Sequence, residues 1–335
     1  MNSFGRIFRV HIFGESHGES VGIIIDGCPA GLVLSLEDFL PDLERRKGGT
    51  QKGTTPRQEE DLPIFKSGIF NGKTTGAPIT ILFENKNIRS GDYEKLRDIP
   101  RPGHADFVAR KKAGGYEDYR GSGHFSGRLT VALVAAGVVA KKLLNQVKIS
   151  SSLLEIGGEP DLEKGLQKAI DAKDSIGGII ECRANGLPIG LGEPFFDSVE
   201  SMLSHIVFAI PAVRAIEFGT GFDAAKMFGS EHNDAIEDIS GKTKTNHAGG
   251  VVGGLTNGNE LVFRIAIKPT SSTPKEQNTL NWESGKVETV SVKGRHDLCI
   301  ALRVPVILES VTAIVLADLM MAEQKIPRII NPLIP

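Results

Sequence analysis

Apolar and polar residues alternate over Phe8–Phe13 and Ala77–Glu84, the period of a strand with one buried face. Short apolar runs at Gly22–Asp26, Gly177–Cys182 and Glu260–Lys268 predict further strands. Thr256-Asn257-Gly258-Asn259 predicts a hairpin turn joining Gly250–Leu255 to the last of these, because Asn-Gly accepts positive φ at little cost. Helical spacing appears after Ser35-Leu36-Glu37-Asp38, a capping-box pattern, where Leu36, Phe39, Leu40 and Leu43 share a face. Asp197-Ser198-Val199-Glu200 repeats the device before Met202, Leu203, Ile206 and Val207. Thr130–Leu144 carries no charge until Lys141, and Pro305–Glu323 is apolar almost all round, so both are predicted to be buried helices. Strands and helices intermix without a regular βα alternation. That order favours an α+β or sandwich-like fold with antiparallel sheets over a doubly wound parallel sheet.

Composition narrows this picture. The 335 residues are 40% hydrophobic and 24% charged, an ordinary globular balance that by length is one large domain or two of medium size. With 39 glycines and 17 prolines, tight turns and short elements are expected. No run of about 20 uninterrupted apolar residues occurs, so no membrane partner is expected. Met1–Phe13 has no apolar core followed by a small-residue cleavage site, so no secretory leader is expected. Cys28, Cys182 and Cys299 are isolated, which suits packing roles in a reducing cytoplasm. A net charge of −2 gives no global field for nucleic acid. The positive charges nevertheless cluster, at Arg45, Arg46, Lys47, Lys52 and Arg57, and again at Arg101, Arg110, Lys111, Lys112, Arg120 and Arg128. Such local patches suit a small polyanion.

Four clusters carry candidate chemistry. Gly14-Glu15-Ser16-His17-Gly18 follows the first long strand, where loops expose side chains to clefts, and a histidine there can act as a general acid. On residue types alone this loop reads more readily as a structural turn. Arg101-Pro102-Gly103-His104-Ala105-Asp106 and Tyr119–Arg128 run into the helix at Thr130, whose free N–H groups would suit a phosphate; a plain Gly-rich turn is the other reading. Asn246–Gly250, Gly253-Gly254 and Lys268-Pro269-Thr270-Ser271-Ser272 form a third cluster, and Gly294-Arg295-His296-Asp297 a fourth at the mouth of the last helix. No Gly-rich dinucleotide fingerprint or phosphate-loop motif occurs, and the eight histidines show no metal-ligand spacing.

In this order, Phe13–Gly18, Arg101–Asp106, Asn246–Gly250, Lys268–Ser272 and Arg295–Asp297 resemble the chorismate synthase family, from about Phe4 to the final helix. The resemblance implies a single domain over 1–335, an α+β β-α-β sandwich of antiparallel sheets with buried helices. It also implies a carbon–oxygen lyase of the shikimate pathway that removes phosphate from 5-enolpyruvylshikimate 3-phosphate by 1,4-anti elimination. Reduced FMN is required without net redox change, NADPH is a candidate reductant for the flavin, and the assembly is a homotetramer.

Carried over residue by residue, His17, His104 and Asp297 are catalytic. His124, Phe125, Ser126, Pro211, Ala212, Gly253, Lys268, Thr270, Ser271, Ser272 and Arg295 contact FMN. Arg46, Lys52, Ser16, Arg120 and Arg128 serve the substrate or NADP, and no metal is expected. Where many members read Arg-Ser-Ser-Ala-Arg-Glu-Thr this chain has His124-Phe125-Ser126-Gly127-Arg128-Leu129-Thr130, and Lys52 stands where many have arginine. The competing readings are a non-catalytic polyanion binder and an NADPH-dependent flavin reductase.

Overall fold

The computed structural model describes residues 2–49, 51–57, 59–87, 97–292 and 296–333. One antiparallel sheet takes β1 (Ser3–Phe4), β2 (Arg9–Gly14), β3 (Ser20–Asp26), β4 (Ile64–Ser67) and β5 (Ile79–Glu84), in the order β1-β2-β3-β5-β4. A second takes β6 (Lys148–Ile156), β7 (Gly178–Asn185), β8 (Val213–Phe218) and β9 (Leu261–Ile267), in the order β8-β9-β7-β6 and again antiparallel throughout. The helices of seven residues or more among the described residues are α1 (Leu40–Arg46), α2 (Asp106–Ala113), α3 (Thr130–Leu143), α4 (Leu162–Ala172), α5 (Val199–Val207) and α6 (Val304–Ala322).

Between the sheets lie the two most apolar helices. α3 packs on β3 and β5, α6 packs on β6 and β7, and the two helices pack on each other. Ile23, Ile25, Ile79 and Ile81 are fully buried beneath α3, each stabilising the fold by about 1.5–3 kcal/mol. Close helix approach depends on Gly137, where a Cβ would stand 2.5 Å from Ser310 Cα. This is the antiparallel α+β sandwich with buried helices that the pattern implied.

The polar residues on α6 are satisfied, as burial demands. Asp318 accepts the backbone N–H groups of Arg6, Ile7 and Phe8 at 2.9, 2.7 and 2.8 Å, fixing the chain's entry into β2. Glu309 accepts Arg45 in two bonds of 2.7 Å, Lys141 at 3.1 Å and the Ser151 amide at 3.1 Å. Ile300–Ala322 is long and apolar enough to cross a membrane, and 78% of its most apolar window is buried against the rest of the chain. All three cysteines are free and buried; burial pushes the Cys28 and Cys182 thiols up to about 12 and that of Cys299 up to about 11.

Two local expectations are corrected. The hairpin turn falls at Gly253-Gly254, between Val251–Val252 and Leu255–Thr256, because both glycines take positive φ as a two-residue turn requires. Asn257-Gly258 then redirects the chain into β9 in another sheet. After Ser35, whose amide donates to Asp38 at 2.8 Å, the chain makes a 3-10 turn before α1 starts at Leu40, with Pro41 in its first turn. Phe39 and Leu43 are therefore buried, while Leu36 and Leu40 face outward. Helices α2 and α4 and strands β6 and β8 had no signal singled out.

Candidate functional site

A cavity of about 660 Å³ lies between the N-terminal strands, the start of α3, the end of α5 and the loops at 101–105, 120–130, 268–272 and 296–303. Its apolar lining includes Val10, Ile12, Leu133, Ile206, Ile210 and Ile307. The charged lining is Arg46, Lys47, Arg57, Arg101, Arg128, Arg303 and Lys268 against three carboxylates, Glu59, Asp61 and Asp297. Positive charge therefore exceeds negative there. Of the eight non-glycine residues with positive φ among those described, three line this cavity: Asp61, Ser122 and Ala212. Such backbone costs about 1–3 kcal/mol each and persists where the surroundings impose it, which is common at functional sites.

The 14–18 loop is stitched to its neighbours. The Ser16 amide donates to the Gly123 carbonyl at 3.1 Å, and His124 Nδ1 donates to the Gly14 carbonyl at 2.8 Å. Asn85 Nδ2 donates to the carbonyls of Glu15 and Gly18 at 3.0 and 2.9 Å. Ser16 and His17 are buried, with His17 Nδ1 3.3 Å from Ser16 Oγ, which also accepts Arg57 Nη1 at 3.3 Å. The His17 ring lies directly against Gly121, a residue of the cavity wall. Burial first, and then the Arg57 charge, hold the His17 pKa below its ordinary 6.5.

His104 sits in a closed hydrogen-bonded ring. Its Nδ1 is 2.6 Å from Asp106 Oδ1, and a carboxylate can only accept, so the proton lies on Nδ1. Nε2 then accepts from Ser122 Oγ at 3.2 Å, and Ser122 Oγ accepts Arg101 Nη2 at 2.9 Å. Arg101 closes the ring with two 2.7 Å bonds to Asp106, and its Nη1 donates to Ser272 at 3.0 Å. Burial would raise the Asp106 carboxyl, but the bonds from Arg101 and His104 outweigh it and hold that group well below the usual range.

Asp297 accepts the Thr55 amide at 2.8 Å and Arg303 Nη1 at 3.1 Å. Lys268 Nζ donates to Ser271 Oγ at 2.7 Å and to the Gly103 carbonyl at 3.1 Å; burial, then the Arg214 charge, lower its pKa. The 3-10 turn Gly127–Leu129 that leads into α3 is capped by Ser126, whose Oγ accepts the Arg128 amide at 3.3 Å. Two buried polar atoms of the wall, Thr270 Oγ1 and Arg46 Nε, have no hydrogen-bond partner among the described residues, as expected where a ligand completes a site.

The cavity thus gathers His104, Asp297, His124, Phe125, Ser126, Pro211, Ala212, Lys268, Thr270, Ser271, Ser272, Arg46 and Arg128. His17 and Ser16 stand behind its wall. Lys52, which donates to Gln167 at 3.2 Å, Arg120, paired with Asp118 at 2.8 Å, and Gly253, in its hairpin turn, are not brought to it. Arg295 lies outside the described residues.

The pattern describing "Chorismate synthase" matches residues 8–321. The chain belongs to the chorismate synthase family. A chorismate synthase of Chitinophaga pinensis is 71% identical over 330 residues, covering 98% of this chain and 99% of the relative. One of Korarchaeum cryptofilum is 44% identical over 353 residues, covering 96% and 98%. A crystal structure of a chorismate synthase superposes with a TM-score of 0.70 at 27% identity, covering 95% of this chain and 93% of that one. In chorismate synthase terms, the two departures at His124 and Phe125 have different settings. His124 ties the 14–18 loop to the helix entry, whereas Phe125 is half exposed at the cavity edge.

Sequence reading missed Arg57, Glu59, Asp61, Arg101, Ser122 and Arg303 as site residues. Arg57 and Arg101 stood inside the noted basic clusters. Ser122 stood inside the noted Tyr119–Arg128 run without a role of its own, whereas Asp61 and Arg303 join the wall through contacts distant in sequence that no local pattern marked.

Proposed function

We propose that this cavity binds reduced FMN together with 5-enolpyruvylshikimate 3-phosphate, and that its residues carry the 1,4-anti elimination of phosphate that yields chorismate. The observation that carries this reading is one cavity lined by five arginines and two lysines together with a set of aliphatic side chains. The substrate bears two carboxylates and a phosphate, which need the cations; a flavin ring needs the apolar face. When bound, reduced FMN supplies transient electron donation to the ring losing phosphate and returns unchanged. His124, Phe125, Ser126, Pro211, Ala212, Lys268, Thr270, Ser271 and Ser272 would hold it, with Arg46 and Arg128 on the substrate.

His17 protonates the departing phosphate, making it a weaker base and a better leaving group. Its depressed pKa leaves the resting ring neutral near pH 7, and an arriving phosphate dianion opposes burial and Arg57 and draws a proton onto it. His104, its tautomer set by Asp106 and Ser122, holds a proton at the flavin. Asp297, oriented by Arg303 and the Thr55 amide, helps take the C6 proton. The apolar wall excludes water.

The same reading takes 1–335 as one domain, since a single hydrophobic cluster draws on both sheets, and places the protein in the cytoplasm, where its buried thiols stay reduced. It assembles as a homotetramer; Phe195, Phe196, Phe222 and Phe228, each more than three-quarters exposed, support a further buried contact. Light scattering on a sizing column tests that assembly. NADPH stays a candidate reductant, decided by following its oxidation with oxidised FMN present. The main test is an anaerobic assay with reduced FMN and the phosphorylated substrate, following phosphate release and the diene of chorismate. FMN binding without product would favour a polyanion binder.

A further inference from the structure

Asp61 lies between two arginines of the cavity wall, and the chemistry proposed above does not use it. Its side chain is buried and its backbone takes φ +53°. The carboxylate accepts Arg46 Nη2 at 2.8 Å through one oxygen and Arg128 Nη1 through the other. Each arginine is held elsewhere as well. Arg46 Nη1 donates to Thr130 Oγ1 at 3.1 Å, while Arg128 donates from Nε to Asn85 Oδ1 at 3.0 Å and from Nη2 to the Glu84 carbonyl at 3.2 Å. Arg46 Nε remains buried without a hydrogen-bond partner among the described residues. Two guanidinium groups sharing one carboxylate leave an excess positive charge in a buried wall, which is costly until a countercharge arrives.

We propose that Asp61 is a positioning residue, holding Arg46 and Arg128 side by side so that the pair receives an oxyanion of the substrate, its phosphate or a carboxylate. This rests on the reading of the cavity as the substrate site. Two effects of removing the Asp61 charge oppose each other. Net positive charge would rise, which by itself tightens anion binding. The two guanidiniums would also lose their common acceptor and repel each other, and long arginine side chains have much rotamer freedom to regain. Geometry dominates here, because a bidentate oxyanion contact requires planar groups in fixed orientation.

The test is Asp61→Asn in the full-length protein with reduced FMN under anaerobic conditions. Asparagine keeps the side-chain shape and tolerates left-handed backbone well. The expected result is a KM for 5-enolpyruvylshikimate 3-phosphate raised about 10-fold or more, with kcat within about 3-fold and the FMN Kd within about 2-fold of wild type. An unchanged or lowered KM, or a rise confined to the FMN Kd, overturns the proposal. Arg46→Ala separates the two layers of the argument. If it raises KM and Asp61→Asn does not, only the role of Asp61 falls; if it leaves KM unchanged, the cavity reading falls and takes this proposal with it. Should Asp61→Asn fail to fold, Thr130→Val releases the other edge of Arg46; a higher KM with kcat retained supports the held pair, and an unchanged KM overturns it.

Discussion

An alanine at position 121 would set its Cβ against His17 Nδ1 and Cε1, far inside van der Waals contact, and 2.9 Å from Ser16 Oγ. The backbone there has φ +56°, so the substitution carries two separable penalties. The first is conformational, about 1–2 kcal/mol for an L-residue in the left-handed region. The second is displacement: the ring must retreat by about 1 Å or more to regain normal van der Waals separation. A misplacement of that size at a reacting group costs on the order of 10² in rate. Gly114→Ala supplies the control, because Gly114 has φ +63° and a Cβ there would meet nothing within 4 Å. Both variants should lose stability in denaturant melts, Gly121→Ala at least as much as Gly114→Ala because it adds the clash. Only Gly121→Ala should lose turnover, read as phosphate release by anaerobic stopped flow with reduced FMN, while FMN binding is kept. If Gly121→Ala turns over within about 3-fold of Gly114→Ala, then His17 is not the proton donor or its placement does not matter.

Protonation of His17 also links stability to pH. Its folded pKa is lowered from 6.5, so the unfolded chain binds that proton more readily. Its contribution is therefore fully present above about pH 6.5 and is lost as pH falls toward the folded value. Urea unfolding at pH 7.5 and 5.5 should show a smaller acid-side loss for His17→Gln than for wild type; equal losses would refute the coupling. At the helix crossing, Gly137→Ala would drive a Cβ to 2.5 Å from Ser310 Cα and 2.6 Å from its Oγ, forcing α3 and α6 apart. The expected destabilisation is about 1–3 kcal/mol, checked by thermal melting, and an unchanged midpoint would show that the helices slide freely.

Much of the architecture was legible because it depends on local periodicity. The strands around Phe8–Phe13 and Ala77–Glu84 and the helices at Thr130 and Pro305 appear within a few residues of their expected bounds, since burial of one face repeats along each element. β6 escaped notice because its run, Lys148–Ile156, is polar at its centre and only half buried. The capping box at Ser35 was read as opening one helix, whereas it opens a 3-10 turn and α1 begins separately at Leu40.

The sequence by itself determined the family, the composition of the basic clusters and the residues that reach the cavity from Arg101–Ser126 and Lys268–Ser272, because these groups lie in continuous motifs. Tertiary structure alone decided how they are held. The ring of Arg101, Asp106, His104 and Ser122 closes a gap of sixteen residues between Asp106 and Ser122 in the chain. Asp61 meets Arg128 from another part of the chain, and Gly121 matters only because His17 folds against it. Lys52, a departure from the family's common arginine, and Gly253 both stood in family order, yet their backbones lead elsewhere. Charge and hydrogen-bonding capacity are written residue by residue; distance and orientation arise only when the two sheets close on α3 and α6.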